Sequence, residues 1–180
     1  MDETPRMNPV LQEMIDHYEI RKVISIYCHG CDRGDEARIA DAFLEDSLDI
    51  HGNYKGSGKA LAKRVADAAA SGVMSTHLLG QSLIHVTGLE AGADTYFIAN
   101  VAMKGEDDRE VAHLMGGRYV DTFRREEGKW KIAKRIVVRD WSISLDADND
   151  WIKSRNFVPG QLKAEDPSYA VLGLLAGLTK

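Results

Sequence analysis

Apolar positions recur at helical spacing up to Val73 and then, from Met74 on, fall into runs separated by turns. The first helix should start after Asn8-Pro9, a capping side chain followed by proline at the first helical position. Its apolar positions are Leu11, Met14, Ile15 and Tyr18, then Ile20, Val23, Ile24, Tyr27, Cys28 and Cys31, with Gly30 and Gly34 marking its end. A short second helix, Asp35 to Leu44, carries Ile39 and Phe43 as buried residues, and Ser47 to His51 reads as a brief strand. After a turn at Gly56 and Gly58, Lys59 to Ala70 forms a third helix with Leu61, Val65 and Ala68 inward and Gly72 as its stop.

From Met74 the runs are apolar and rich in β-branched residues: Met74–Val86, Thr95–Met103, Glu110–Arg124 and Lys129–Leu145. The separators Gly88 to Gly92, Gly105 to Asp108 and Arg125 to Gly128 are polar, hairpin-type loops. Helices followed by a meander of long strands predict an α+β domain, with the helices packed on one face of a curved antiparallel sheet. The domain should span residues 1–145, and residues 146–180 form a tail with Trp151, Phe157, Pro159, Tyr169 and a final apolar run.

Composition narrows the function classes. At 180 residues the chain suits one domain with one substantial core, and its net charge of -5 disfavours nucleic acid or an anionic membrane as main partner. The N-terminus MDETPRMNPV has no apolar secretory segment, and the longest apolar run, AVLGLLAGL, is too short to span a bilayer. A soluble, cytoplasmic protein is expected. The two cysteines, Cys28 and Cys31, have CxxC spacing but fall on the apolar stripe with Ile24 and Tyr27, so they read as small core residues rather than a redox pair.

The chemistry should lie in polar residues embedded in apolar elements. Tyr27 and Asp32 close the first helix, His77 opens a strand, Asn100 interrupts TYFIANVAM, and Arg139 shares a face with Val137 and Trp141. His113 lies in a strand opposite Asn100 and is a candidate partner for it. Histidine alone has an unperturbed pKa suited to a general base near neutrality. Asp32, one turn after Cys28, could point into the cavity and fix the tautomer of that imidazole. A buried phenol finds a hydrogen-bond partner, and a cation on an apolar face needs a carboxylate, for which Asp32, Asp121 and Asp140 are the candidates. His85 has the strand parity of His77 but lies too far along the strand to share its site. Neither a metal-ligand motif, a phosphate loop, a dinucleotide fingerprint nor a nucleophile elbow is present, so no cofactor and no metal are expected.

The order of elements, the Y-x4-D-x2-D segment ending the first helix, TH opening a strand and G-x-W-K-I opening the last strand together resemble the SnoaL-like branch of the NTF2-like superfamily, over roughly Ile15 to Leu145. The resemblance is to scytalone dehydratase, bile acid 7α-dehydratase and hexachlorocyclohexane dehydrochlorinase. It implies a cone-shaped α+β barrel, with His77 as catalytic base, Asp32 as its partner, Tyr27 as the helix-borne tyrosine and Arg139 as the arginine of the last strand. Asn100, His113 and Trp141 would then be substrate-binding residues. The implied activity is a cofactor-independent lyase, a dehydratase or dehydrohalogenase, acting on a hydrophobic cyclic substrate of steroid, polyketide or aromatic type. The alternatives on the same fold are a proton-shuttling isomerase or cyclase, and a non-catalytic assembly module such as the small subunit of a ring-hydroxylating dioxygenase. The apolar tail and the outer sheet face predict a homo-oligomer, a trimer or alternatively a dimer.

Overall fold

The computed structural model of the protein describes residues 8–105, 109–147 and 154–173. Helix α1 (Pro9–Asp32) is capped by the Asn8 side chain, which accepts from the backbone N–H of Val10, and it ends where Gly34 takes a φ of +60°. Helix α2 (Glu36–Asp41) follows at once, then strands β1 (Phe43–His51) and β2 (Tyr54–Gly56) and helix α3 (Gly58–Ala70). Strands β3 (Met74–Thr87), β4 (Glu90–Lys104), β5 (Glu110–Glu126) and β6 (Lys129–Asp146) complete the sheet, and a one-turn helix, α4 (Pro167–Val171), lies in the tail.

The sheet order is β2-β1-β6-β5-β4-β3. All neighbours are antiparallel except β1 and β6, which are parallel, so the sheet is mixed. Its concave face and the helices enclose a core that includes Ile20, Ile24, Tyr27, Phe97, Tyr119, Phe123 and Ile132. The second helix is shorter than its composition implies, because Phe43 and Leu44 leave it to begin β1. Strand β4 begins at Glu90, earlier than expected, since Gly92 is absorbed within the strand and only Gly88-Leu89 form the turn. On α1 the buried stripe runs through Ile20, Ile24, Tyr27, Cys28 and Cys31, whereas Leu11, Met14 and Tyr18 face solvent. On α3, Leu61, Ala62 and Ala69 are buried, while Val65 and Ala68 are only half-buried.

Three β-bulges between antiparallel neighbours re-aim side chains. Gly80 and Gln81 both oppose Tyr96, Ala133 is the extra residue opposite Thr122/Phe123, and Asp140 is the extra residue opposite Gly116/Gly117. Each reverses the in–out alternation of the bulged strand beyond it. At the last one the backbone of β6 comes so close that a Cβ on Gly117 would lie 2.1 Å from the Val138 carbonyl oxygen.

The largest fully buried side chain is a cation, Arg135 of β6. Its Nε and Nη2 donate to the two carboxylate oxygens of Asp121 at 2.8 and 2.6 Å. The guanidinium lies between the rings of Tyr27 and Tyr119, 4.2 and 4.0 Å from their centroids. Asp121 is therefore already engaged, and so are the other carboxylates expected to pair with Arg139: Asp32 with His77, and Asp140 with Arg118 at 3.6 Å.

In the tail, Asp166 accepts from Arg33 at 3.0 Å and Tyr169 donates to Asp35 at 2.5 Å, tying residues 161–169 to the end of α1. Phe157 and Val171 remain exposed; Trp151 and residues 174–178 of the apolar run lie outside the described residues.

Removing one member of a buried ion pair strands the other, at a cost of about 3–5 kcal/mol, whereas apolar replacement of both members is often tolerated. Arg135→Leu is thus expected to lower the urea unfolding free energy by about that amount, and Arg135→Leu with Asp121→Leu to recover most of it. Equal loss in the double variant would show that the pair contributes more than mutual neutralisation.

Candidate active site

A cavity of about 180 Å³ opens between α1, α3 and the concave face of the sheet. Its wall is mostly apolar, with Val65, Ala68, Phe97, Ala99, Val101 and Met115, and its polar groups are Tyr27, Ser75, Tyr119, His51, His77 and Arg139. A larger, open hollow of about 320 Å³ lies beside the Gly80-Gln81 bulge and is lined by Arg21, Ser25 and Ser82; it holds no histidine or carboxylate. His51, His77 and Arg139 converge on the smaller cavity.

Asp32 is the last residue of α1, and its carboxylate meets the start of β3. One oxygen accepts the backbone N–H of His77 at 2.9 Å, and the other lies 2.6 Å from His77 Nδ1. These two contacts fix both position and orientation of the imidazole and leave Nε2 as the ring nitrogen for the cavity. The two side chains are only 12% and 11% exposed, so water screens the pair poorly. Burial pushes the Asp32 carboxyl up, but the ring and backbone hydrogen bonds of His77, its charge and the Ser75 hydroxyl together hold it below the usual carboxylate value. Asp32 is thus kept ionised, and an ionised acceptor at Nδ1 selects the tautomer with the proton on Nδ1 and a lone pair on Nε2.

Tyr27 lines the cavity from α1 with its ring edge-on to Phe43 and Tyr119 and its face against Arg135. Burial pushes its phenol well above the ordinary value, so it stays protonated and can donate. Arg139 reaches the cavity from β6. Neighbouring Cys28 and Cys31 are free thiols; burial pushes Cys28 up to about 12 and Cys31 higher still, which makes both unreactive core residues.

Three expected substrate contacts fall elsewhere. Asn100 is on the convex face, because Ala99 and Val101 are the cavity-lining positions of β4 and a strand alternates. Trp141 is also on the convex face: the Asp140 bulge reverses β6 between Arg139 and Trp141, and the indole covers Gly116. His113 shares the parity of Met115 but lies beyond the cavity lining, with Nδ1 2.9 Å from Ser144 Oγ. His85 is exposed and points away because the Gly80-Gln81 bulge reverses β3, not only because of its distance.

The structure adds residues that the pattern did not mark. In SLDIH the alternating Leu48 and Ile50 look like the inward face, yet Ser47, Asp49 and His51 point inward. Asp49 is fully buried, with neither carboxylate oxygen hydrogen-bonded, and His51 Nδ1 and Arg135 Nη1 are likewise buried without partners. His51 Nδ1 stands 3.8 Å from Asp49 Oδ1. Burial raises the Asp49 carboxyl to about 6, against the pull of Arg135 and with the help of Asp121. Burial lowers His51 to about 4, helped by Arg139, Arg135, His77 and Arg64. Among the described residues no three His, Cys, Asp or Glu side chains converge as a metal site, and no helix is long and apolar enough to cross a membrane.

The profile of the SnoaL-like domain family matches residues 12–136. The chain belongs to the SnoaL-like family. Its mixed α+β architecture is the NTF2-like cone. Similar solved structures include a scytalone dehydratase-like protein of Novosphingobium aromaticivorans, with a TM-score of 0.65 and 17% identity over 76% of this chain and 91% of that one. A hexachlorocyclohexane dehydrochlorinase of Novosphingobium barchaimii superposes with a TM-score of 0.64 at 17% identity, over 83% of this SnoaL-like chain and 98% of its own. A protein of unassigned function from Mycobacterium tuberculosis is 25% identical, with a TM-score of 0.62 and coverage of 75% and 78%. None of the curated proteins matches the sequence significantly.

The raised Asp49 carboxyl has a stability consequence. Its folded value near 6 lies above the unfolded value near 4, so the folded state binds the proton more tightly and stability falls as pH rises between them. Asp49→Asn should therefore be more stable than wild type at pH 7, by on the order of 2–3 kcal/mol, with the advantage shrinking as pH falls through 6 towards 4. Urea unfolding at pH 4, 5, 6 and 7 measures this; a constant difference across the series would rule out a titrating Asp49.

Proposed function

We propose that this SnoaL-like protein is a cofactor-independent lyase of dehydratase or dehydrohalogenase type, with His77 as its base. The observation that carries the reading is the double engagement of Asp32 by the backbone N–H and ring Nδ1 of His77, which presents Nε2 to a mostly apolar cavity. A proton is taken from substrate carbon by Nε2, and Asp32 stabilises the imidazolium that forms. The C–H electron pair becomes the new C=C bond as the leaving group departs with its own bonding pair. His77 then returns the proton to that group, so the products are the alkene and water or hydrogen halide. Tyr27 and Arg139 are placed to meet negative charge in the cavity, the first as a neutral donor and the second as a cation. The relatives named scytalone dehydratase-like and dehydrochlorinase favour elimination over the assembly-module alternative, as does a His–Asp pair within hydrogen-bond reach.

The cavity size narrows the substrate. An apolar cavity of about 150 Å³ accommodates one benzene ring, so about 180 Å³ fits one substituted ring rather than a whole steroid. The rest of a larger substrate would sit at the mouth, near Arg139.

Deuterium uptake from D2O and loss of water or halide, followed by mass spectrometry on cyclic hydroxyketones and halogenated rings, test the reading. His77→Gln should lower the rate by about 10²–10⁴-fold, the range of general acid–base catalysis. Asp32→Asn should lower kcat with little change in KM, because the amide no longer selects the right tautomer. Turnover surviving in His77→Gln would sink the assignment of the base.

We also propose that the subunits associate as a homotrimer through the convex sheet face, where Tyr96, Ile98, Trp141, Ile143 and Leu145 are all exposed. Light scattering should give a trimeric mass for wild type and a smaller one for Ile98→Lys with Ile143→Lys. A monomeric wild type would overturn this.

A further inference from the structure

We propose that His51 is a second catalytic group of this cavity, a hydrogen-bond donor to the oxygen on which negative charge develops, with the fully buried Asp49 as its positioning residue. The inference rests on the lyase reading and narrows it to substrates whose C–H bond is activated by a carbonyl on the ring.

The geometry comes first. In the sheet, β1 and β3 are separated by β6, β5 and β4, yet His51 at the end of β1 and His77 near the start of β3 line the same cavity. The curvature of the sheet brings two imidazoles to one small space from opposite sides. Behind His51 lies a group of buried polar atoms without partners: its own Nδ1, both carboxylate oxygens of Asp49 and Nη1 of Arg135. Unpaired buried polar atoms are costly, so several together are either satisfied by water or serve the site. Nδ1 is 3.8 Å from Asp49 Oδ1, too far for a hydrogen bond, and catalytic hydrogen bonds that are long without substrate often tighten with it.

The two histidine–aspartate pairs are biased in opposite senses. Asp32 is held ionised by four hydrogen-bonding and charge contacts, which makes His77 Nε2 an acceptor. Asp49 has no donor among the described residues and is pushed towards its protonated form by burial, while burial together with Arg139, Arg135 and Arg64 keeps His51 neutral. A protonated Asp49 donates to His51 Nδ1, which leaves the ring hydrogen on Nε2, the nitrogen turned to the cavity. One imidazole accepts and the other donates, the separation of roles that proton abstraction next to a carbonyl requires.

The step balances without a co-reactant. His77 takes the proton on the carbon next to the carbonyl, the C–H pair moves into the ring to give an enolate, and His51 N–H holds its oxygen. Collapse of the enolate re-forms the carbonyl, makes the C=C bond and expels the β-hydroxyl, which the His77 imidazolium protonates to water. A halide substrate without a carbonyl has no such oxygen and would not use His51.

The probe is 2,4-dinitrophenolate, a single ring carrying an oxyanion whose absorbance changes on binding, titrated above its own pKa and below the Asp49 value of about 6, where that carboxyl holds its proton. Wild type should bind it, His51→Phe should weaken binding by at least tenfold, and His51→Gln, which keeps an N–H, should lose less. Asp49→Leu should weaken it, with recovery in Asp49→Asn, whose amide can donate to Nδ1 as a protonated carboxyl does. Circular dichroism verifies that each variant folds. Equal affinity in wild type and His51→Phe, or no phenolate binding by wild type, would overturn the proposal while leaving the His77 reading to the deuterium experiment. Deuterium exchange lost in His77→Gln, set beside phenolate binding lost in His51→Phe, would separate the two roles.

Discussion

The fold is organised around a charge in its core. Arg135 has no solvent exposure, so its guanidinium must be neutralised and enclosed, and the elements that do so are the ones that form the cavity. Asp121 from β5 takes two of its nitrogens, Tyr27 from α1 and Tyr119 from β5 cover its two faces, and Phe43 from β1 approaches its edge. Both rings also line the cavity, and Phe97 stacks on Tyr119 with centroids 4.4 Å apart. A displacement of the ion pair would therefore move the wall of the site. The geometry of the cavity is set from behind by electrostatics as much as by apolar packing.

The same charge sets the proton chemistry nearby. Arg135 draws Asp49 down while burial and Asp121 drive it up, and it helps to keep His51 neutral. At the other side of the cavity His77 faces Asp32, whose two oxygens are both engaged by the same residue. The contrast arises from local donors. Asp32 ends a helix beside the free N–H of a strand's opening residues, whereas Asp49 lies mid-strand, where the backbone donors belong to the ladder with β6 and β2.

What the sequence revealed follows from how each residue is placed. Asp32 and His77 were legible because one ends a helix and the other begins a strand, and element ends are marked by glycine and by the change of period. The meander, the capping of α1 by Asn8 and the burial of Cys28 and Cys31 were legible for the same local reasons. Asn100 was misread because a polar residue among apolar ones suggests burial, whereas here the convex face is itself apolar and Asn100 belongs to it. Trp141 and Arg139 are two apart and so should share a face, but the bulge at Asp140 breaks the alternation. No composition rule marks such a bulge, although the adjacent Gly116-Gly117 that allows it is visible. His51, Asp49 and Arg135 escaped notice because alternation alone cannot say which face of a strand is inward when the buried face carries the charges.

Two cations, Arg135 and Arg139, stand behind and beside the cavity of this acidic chain. Arg135, fully buried behind the rings of Tyr27 and Tyr119, is screened far less than a cation in water, whereas Arg139 is exposed to it. Such a cavity favours states in which a substrate gains negative charge over neutral ground states, which is the requirement for lowering a barrier rather than merely binding. It also explains why the base needs its own carboxylate. On the lyase reading, Arg135 and Arg139 would oppose the His77 imidazolium as it forms if Asp32 were absent. On that reading a single aspartate at the end of α1 would let proton acceptance and oxyanion stabilisation coexist in one cavity.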